Sequence, residues 1–406
     1  MTTSYGVGSS LVDGLFSSSL GSTQNAQLDA FAQNNLVKGL QLYSDQKYNE
    51  AIQVFKRAIG YSPKSSAAIN AYDYMAKAYI NLGDQKSAIE AYQKSIVADP
   101  SQDAAHTSLA NLYYSQGDYG KALKQYQQAA KLNPSGANYF SLGQGYLADG
   151  QYDNALQAFN TVRRQAPADP YGDFGKGQVY AKQGMYADAI SAFQRAIKID
   201  PGYWNAYSEM GYALADTGQL KQAQDIVTNT LQANAPDLAT QLSTYIDSKT
   251  KPQILGNTYS DIGTPFLTVP GPGTKVSNLG SLNLVNPDTT QTFSISFQFS
   301  KPMDQSSVEN LTNWTITRAS GKYLSDTYNY GQTTPSSEVM LPYNPTGVIY
   351  DSKTMIATVL FSVTQNSSAN GTIDPSHIQF TFNGTDANGL AMDPKANEYT
   401  GFTGVA

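Results

Sequence analysis

The chain has 406 residues, of which 40% are hydrophobic and only 14% charged, with no cysteine and a formal net charge of −6. That length supports two or more domains with cores of their own, and the lack of cysteine excludes disulfides, thiol catalysis and thiolate metal sites. Residues 252–406 hold 6 Lys+Arg against 11 Asp+Glu, so most of the acidity lies there, and no basic stripe exists to neutralise nucleic-acid phosphates.

Soluble domains ordinarily carry roughly 25% charged residues. Here Ser, Thr, Asn, Gln and Tyr take their place, which points to an extracellular or cell-surface setting. No apolar run is long enough for a membrane span. The first basic residue is Lys38, so the basic opening of a secretory signal is missing and no recognisable cleavable signal peptide is expected.

Residues 1–28 form a Ser/Gly-rich N-terminal segment in which Val7, Leu11, Val12, Leu15, Phe16 and Leu20 recur at intervals near four. A purely solvating tail has no use for such residues. They suggest an adhesive arm that docks on its own domain or on a neighbouring copy, against the plainer reading of a disordered tail.

From 29 to 250 the pattern is helical and repetitive. Each unit's second helix opens on a small residue, carries an aromatic four positions later and is followed by proline: Ala51/Phe55/Pro63, Ala88/Tyr92/Pro100, Ala122/Tyr126/Pro134, Ala155/Phe159/Pro167 and Ala189/Phe193/Pro201. A decayed sixth copy has Ala223, Val227 and Pro236. The alanines lie 37, 34, 33, 34 and 34 residues apart, which predicts a three-residue insertion at the first joint, near Lys64 to Ala67. The first helices carry small residues at Gly39, Ala76, Ala110, Gly143, Gly177 and Gly211. Turns at Gly83, Gly117, Gly150, Gly184 and Gly218 supply left-handed caps. This period and pattern resemble the tetratricopeptide repeat, which implies a superhelical solenoid of about six repeats. Leu238, Leu242, Tyr245 and Ile246 give helical spacing for a capping helix.

Residues 251–274 read as a Pro/Gly-rich connector. After it the period becomes two: Phe293, Ile295, Phe297 and Phe299 alternate with Ser294, Ser296 and Gln298, a half-buried strand. Further strands are predicted at Trp314–Arg318, Gly347–Tyr350, Met355–Val363 and Ile378–Phe382, an all-β sandwich over 275–406. The run from Phe299 through Pro302-Met303-Asp304 to Val308, with Asp386, Asn388-Gly389 and Asp393 later, resembles the immunoglobulin-like modules of bacterial surface proteins. An insertion from Gly321 to Ser337, rich in Tyr and Thr, departs from them and suggests a contact loop.

Catalytic chemistry has little to stand on. His106 falls where other repeats place Tyr72, Tyr139 and Tyr207, so packing explains it, and His377 has no evident nucleophile. The expectation is no enzyme, no catalytic residue and no cofactor. Asp386, Asn388 and Asp393 are candidate calcium ligands, against the reading in which they cap their own turn.

The resemblance to the repeat family implies an inner wall built by first helices. It would expose Asn111, Tyr114, Phe140, Gln144, Tyr171, Phe174, Gln178 and Tyr212 as a partner-binding groove of aromatics and amides. Lys77 and Lys182 are present, but the basic clamp that holds a C-terminal carboxylate in some family members is not evident. Two functions follow: a structural subunit that self-assembles into an extracellular filament, sheath or layer, or a monomeric adaptor that captures a peptide or protein.

Overall fold

An alanine or glycine on one helix and a ring on the next let two helices approach closely, and that pairing recurs through the helical part of this computed structural model. The structure describes residues 9–406 other than 260, 281, 403 and 406, with side chains described from residue 24 onward except at 282, 283 and 405. Among these residues the chain forms two compact units, Met1–Ala239 and Thr240–Ala406.

In the first unit, hairpins follow one another: α1 (Ser9–Ser44) with α2 (Tyr48–Tyr61), α3 (Ser66–Asn81) with α4 (Gln85–Ala98), and α5 (Asp103–Ser115) with α6 (Tyr119–Leu132). Then come α7 (Gly136–Ala148) with α8 (Tyr152–Gln165), α9 (Tyr171–Lys182) with α10 (Tyr186–Ile199), and α11 (Trp204–Asp216) with α12 (Leu220–Ile226). The alanines that open the second helices are all fully buried, as are Phe55, Phe159 and Phe193. Burying each such ring contributes roughly 2–3 kcal/mol. The small residues of the first helices make room for these rings: a Cβ added to Gly143 would sit 2.6 Å from the Phe159 ring, and one added to Gly177 2.5 Å from Phe193. The turn glycines have φ between +74° and +77°. In the first hairpin Gln46 takes the left-handed place instead, with φ +60°.

The extra residues at the first joint are absorbed as helix. α3 has 16 residues where α5, α7 and α11 have 13. Ser65 caps it by accepting from the Ala68 amide at 3.2 Å. In the last repeat the aromatic is replaced by Val227, and the helix widens into a π-helical turn, Val227–Leu231, before a short α13 (Gln232–Asn234). α14 (Pro236–Lys249), where the capping helix is predicted, spans the division between the units and buries Ala239, Leu242 and Ile246.

The expected arm falls differently from a separate segment: residues 9–28 are the first part of the continuous α1. Leu11, Val12, Leu15, Phe16 and Leu20 lie on its backbone with side chains outside the described ones, and Val7 lies outside the described residues.

The second unit contains β1 (Ile254–Thr258), β2 (Thr264–Pro265), β3 (Thr274–Lys275), β4 (Thr290–Phe299), the single turn α15 (Gln305–Val308), β5 (Trp314–Arg318) and β6 (Gly347–Asp351). Next come β7 (Ile356–Thr364), β8 (Thr372–Ile373), β9 (Ile378–Phe382), β10 (Glu398–Thr400) and β11 (Gly404–Val405). One sheet runs β1-β4-β7-β6, with β2 parallel to β4, and another runs β11-β10-β9-β5; β3 and β8 pair separately. Thus the stretch read as a connector supplies two strands to β4.

Rings from both larger sheets meet in one core. Phe297 stacks on Trp314 at 5.7 Å and meets Phe380 at 5.4 Å, and Phe299 meets Phe382 at 5.3 Å. β4 is not half-solvated as its alternation predicts, because Ser294 and Ser296 are also buried. Ser296 hydrogen-bonds Thr358 across the sheet at 2.8 Å, and the backbone at Gly263 lies against Ser294. Hydroxyl partners on neighbouring strands let a polar face be covered without stranding its donors.

The 321–337 insertion is pinned at Tyr328, which is buried and whose hydroxyl hydrogen-bonds the Glu338 carboxylate and accepts from the Asp374 amide. Tyr323 and Leu324 remain exposed.

Candidate partner-binding site

First helices of successive repeats present equivalent positions to one side, and second helices begin beside them. Between them lies a cavity of about 610 Å³, lined from α5, α7, α9 and α11 and from the opening residues of α6, α8 and α10. Gln144, Gln178 and Tyr212 each follow the small residue of their repeat and line the cavity, where Gln144 Nε2 donates to Gln178 Oε1 at 2.7 Å. Tyr119, Tyr152 and Tyr186, each the first residue of a second helix, form much of the remaining wall. Tyr114 and Tyr119 meet edge to face at 5.3 Å.

The charged lining residues are Lys182, Glu209 and Asp216. Burial pushes the Glu209 carboxyl above the usual carboxylate range, with Lys182 opposing. Burial also raises the Tyr212 phenol; a hydrogen bond with Ser208 opposes that shift, and Glu209 adds to it. The cavity is therefore a polar, tyrosine-walled recess with a desolvated carboxyl in it.

Of the groove residues read from the sequence, Tyr114, Gln144, Gln178 and Tyr212 come together here. Phe140, Tyr171 and Phe174 do not line it but form an aromatic ladder between repeats. Phe140 meets Phe159 at 5.7 Å and Tyr171 at 5.6 Å, Tyr171 meets Tyr203 at 5.6 Å, and Phe174 meets Tyr203 at 4.8 Å and Phe193 at 5.8 Å. Phe140 and Phe174 each precede the small residue by three positions, which aims them at the ring on the following helix rather than into the cavity. Asn111 accepts from the Tyr126 hydroxyl at 2.5 Å, and burial, with Tyr114 nearby, pushes that phenol up to about 12. Lys77 lies over the Tyr74 ring at 4.6 Å. Tyr119, Tyr152, Tyr186 and Glu209 were not anticipated. The three tyrosines had a signal, since each stands two residues after a turn glycine.

In the β unit, His377 has closer neighbours than the sequence suggests. Its Nδ1 lies 2.8 Å from Asp374 Oδ2 and 2.9 Å from Ser376 Oγ, and its Nε2 lies 2.8 Å from the Ser325 carbonyl. All three side chains are buried. Serine and carboxylate crowd the same ring nitrogen while the other faces a carbonyl, so the relay of a hydrolytic triad cannot form. The group pins the 325 loop instead. His106 is buried with Nδ1 2.7 Å from Gln125 Oε1.

Asp386 is buried and committed. Its Oδ1 accepts from the amides of Asn388 at 2.9 Å and Leu390 at 2.8 Å, and its Oδ2 is ion-paired with Lys301 Nζ at 2.7 Å. Burial raises the carboxyl, but Lys301 and the two amides outweigh it and hold it below the usual range. Asp393 accepts from the Lys395 amide at 3.0 Å and from Gln253 at 3.2 Å. Asp386, Asn388 and Asp393 thus serve turns and an ion pair, and among the described residues no group of three or more His, Cys, Asp or Glu could hold a metal ion. Among the same residues no helix is long and apolar enough to cross a membrane.

Tetratricopeptide repeat family models match residues 76–117, 104–135, 140–203 and 180–242. The helical unit is an all-α tetratricopeptide repeat solenoid, followed by a β-rich region of antiparallel sheets. A tetratricopeptide repeat protein from Parabacteroides merdae is similar at 17% identity over 54% of this chain and 86% of its own, with a TM-score of 0.49. YrrB, described as a repeat protein with an unusual peptide-binding site, is 22% identical over 47% of this chain and 97% of its own, with a TM-score of 0.36. Pseudomonas aeruginosa pilF is 16% identical over 54% of this chain and 98% of its own, with a TM-score of 0.43. No curated protein sequence matches the chain.

Proposed function

We propose that this protein is a non-enzymatic binding module whose solenoid takes an extended segment of a protein partner into the tyrosine-walled cavity. The observation that carries this reading is the convergence on one recess of about 610 Å³ of the equivalent residues Gln144, Gln178 and Tyr212 from three successive first helices, joined by Tyr114 from the one before them. Tyrosine supports it chemically, offering large contact area and a hydroxyl at small entropic cost. The β unit is read as an immunoglobulin-like module that spaces or anchors the solenoid at a cell surface. Support for that comes from two antiparallel sheets around a shared aromatic core and from the Phe299–Val308 phrase.

The test is selection of phage-displayed dodecapeptides on the full chain. Combined substitution Tyr114→Ala, Gln178→Ala and Tyr212→Ala should abolish recovery of the selected peptides while leaving the far-ultraviolet spectrum intact. Undiminished binding by that variant would sink the groove reading.

A second reading, self-assembly of copies into an extracellular filament, sheath or layer, is favoured by apolar side chains on the β unit. Val269 and Met340 are each 87% exposed and Tyr259 is 75% exposed. Electron microscopy of the full chain beside one lacking residues 1–28 tests it: filaments from the full chain alone support both the assembly and the arm, and dispersed particles from both count against them.

A further inference from the structure

The cavity wall has a period, and the period narrows what can lie along it. Tyr119, Tyr152 and Tyr186 each open a second helix, two residues after a turn glycine, and all three line the recess. They recur once per repeat. Successive first helices are neighbours, α5 with α7 and α7 with α9, and Gln144 is bonded to Gln178 across one such joint. One repeat therefore advances the wall by one helix-packing distance, about 8–10 Å.

Hydrogen bonding adds a second condition. The hydroxyls of Tyr119, Tyr152 and Tyr186 and the side-chain amide nitrogen of Gln178 have no hydrogen-bond partner among the described residues. The rings themselves are held, Tyr119 edge to face against Tyr114, and Tyr152 and Tyr186 against the cores of their hairpins. The wall thus presents fixed rings with uncommitted donors. Lys182 and Glu209 oppose each other in charge, and Asp216 and Tyr212 have partners of their own, so the lining calls for no charged ligand.

We propose that the occupant is a proline-rich segment of a protein partner in the polyproline II conformation, with every third residue set against Tyr119, Tyr152 and Tyr186 in turn. This rests on the groove reading above and names the class of segment. A polyproline II helix turns once in three residues and rises about 9 Å in doing so, which matches the step of the wall. A β-strand covers a similar distance in three residues but turns its side chains to alternate faces, so residues three apart cannot meet one wall. The polyproline II backbone makes no internal hydrogen bonds, and proline brings a carbonyl without an N–H, an acceptor for the donors that line the recess. Grooves lined by aromatic rings are the surfaces on which such segments pack.

The experiment titrates the full chain with decaproline, acetylated and amidated at its ends, beside a Gly/Ser decapeptide capped in the same way. Decaproline should bind about tenfold more tightly or better. Tyr119→Phe, Tyr152→Phe and Tyr186→Phe combined keep the rings and remove the hydroxyls. That variant should melt with the wild type and bind decaproline about tenfold more weakly or worse, as expected for three neutral hydrogen bonds lost together. Peptides recovered from the phage selection should carry prolines at three-residue intervals.

Decaproline binding no tighter than the Gly/Ser peptide, binding undiminished by the three Phe substitutions, or selected peptides without that spacing overturns the inference while the groove reading stands. Failure to recover any peptide, or recovery that survives the Tyr114/Gln178/Tyr212 triple substitution, overturns both.

Discussion

Phe159 and Phe193 each rest against the glycine sixteen positions earlier, Gly143 and Gly177, whereas Phe293 faces Phe361 across 68 positions of chain. The helical unit is thus assembled from near neighbours and repeats its solution, while the β unit joins distant segments and uses each contact once. In the first, a ring can be spared for a cavity wall without losing the architecture. In the second, the Phe and Trp rings of the core are committed to a single interior.

That contrast can be broken at several points. Phe297 touches Trp314, Phe380 and Tyr399, so Phe297→Ala should cost about 4 kcal/mol and loosen both larger sheets together. The chain has two tryptophans, one in each unit. In a Trp204→Phe background, Trp314 fluorescence during denaturant unfolding reports on the β unit alone, and an unshifted midpoint would contradict the shared core.

Asp386→Asn should follow at about 3 kcal/mol, because it removes the charge partner of Lys301, whose side chain is only 14% exposed and keeps only the Asp247 and Thr250 carbonyls as acceptors. The Asp386 carboxyl titrates lower when folded than when unfolded, so the stability it contributes is whole above the ordinary carboxylate range. It is lost as pH falls through the depressed folded value. Acid titration of the variant, followed by the same fluorescence, should show a shallower decline than wild type.

Within the helices the effects are smaller. Gly143→Ala drives a methyl into the Phe159 ring and should cost about 2 kcal/mol in thermal unfolding, despite alanine's better helix propensity. Gln46→Gly relieves the left-handed strain of the first turn and should stabilise by about 1 kcal/mol, seen as a raised melting temperature by circular dichroism.

The same contrast explains what could be read from the sequence. Alanines, rings and turn glycines recur at a fixed period because each repeat solves the same local problem, so the hairpins from Gly39 to Val227 are legible. The strands β4, β5, β6, β7 and β9 are legible through their apolar patterning. β1 and β2 are not, because they are short, lie among prolines and exist only by pairing with β4. The burial of Ser294 and Ser296 also escapes periodicity, since what covers them comes from elsewhere in the chain. In the candidate site, Tyr114, Gln144, Gln178 and Tyr212 follow from helical position. The inward turn of Phe140 and Phe174 depends on the ring of the following helix, and the partial burial of Glu209 near Lys182 depends on side-chain placement that no pattern encodes.

The ties at the two ends of the β unit carry a consequence for how the protein is made. Ile254 donates its amide to the Ala396 carbonyl at 2.8 Å, and Asp393 donates to Pro252 at 2.9 Å. On a ribosome, each helical hairpin can close soon after its own thirty-odd residues emerge. The first strand of the β unit can pair with β4 after about 40 further residues, but the ties that close it at Asp393 and Ala396 exist only after about 140. During that interval its apolar stretches are the most vulnerable part of the nascent chain.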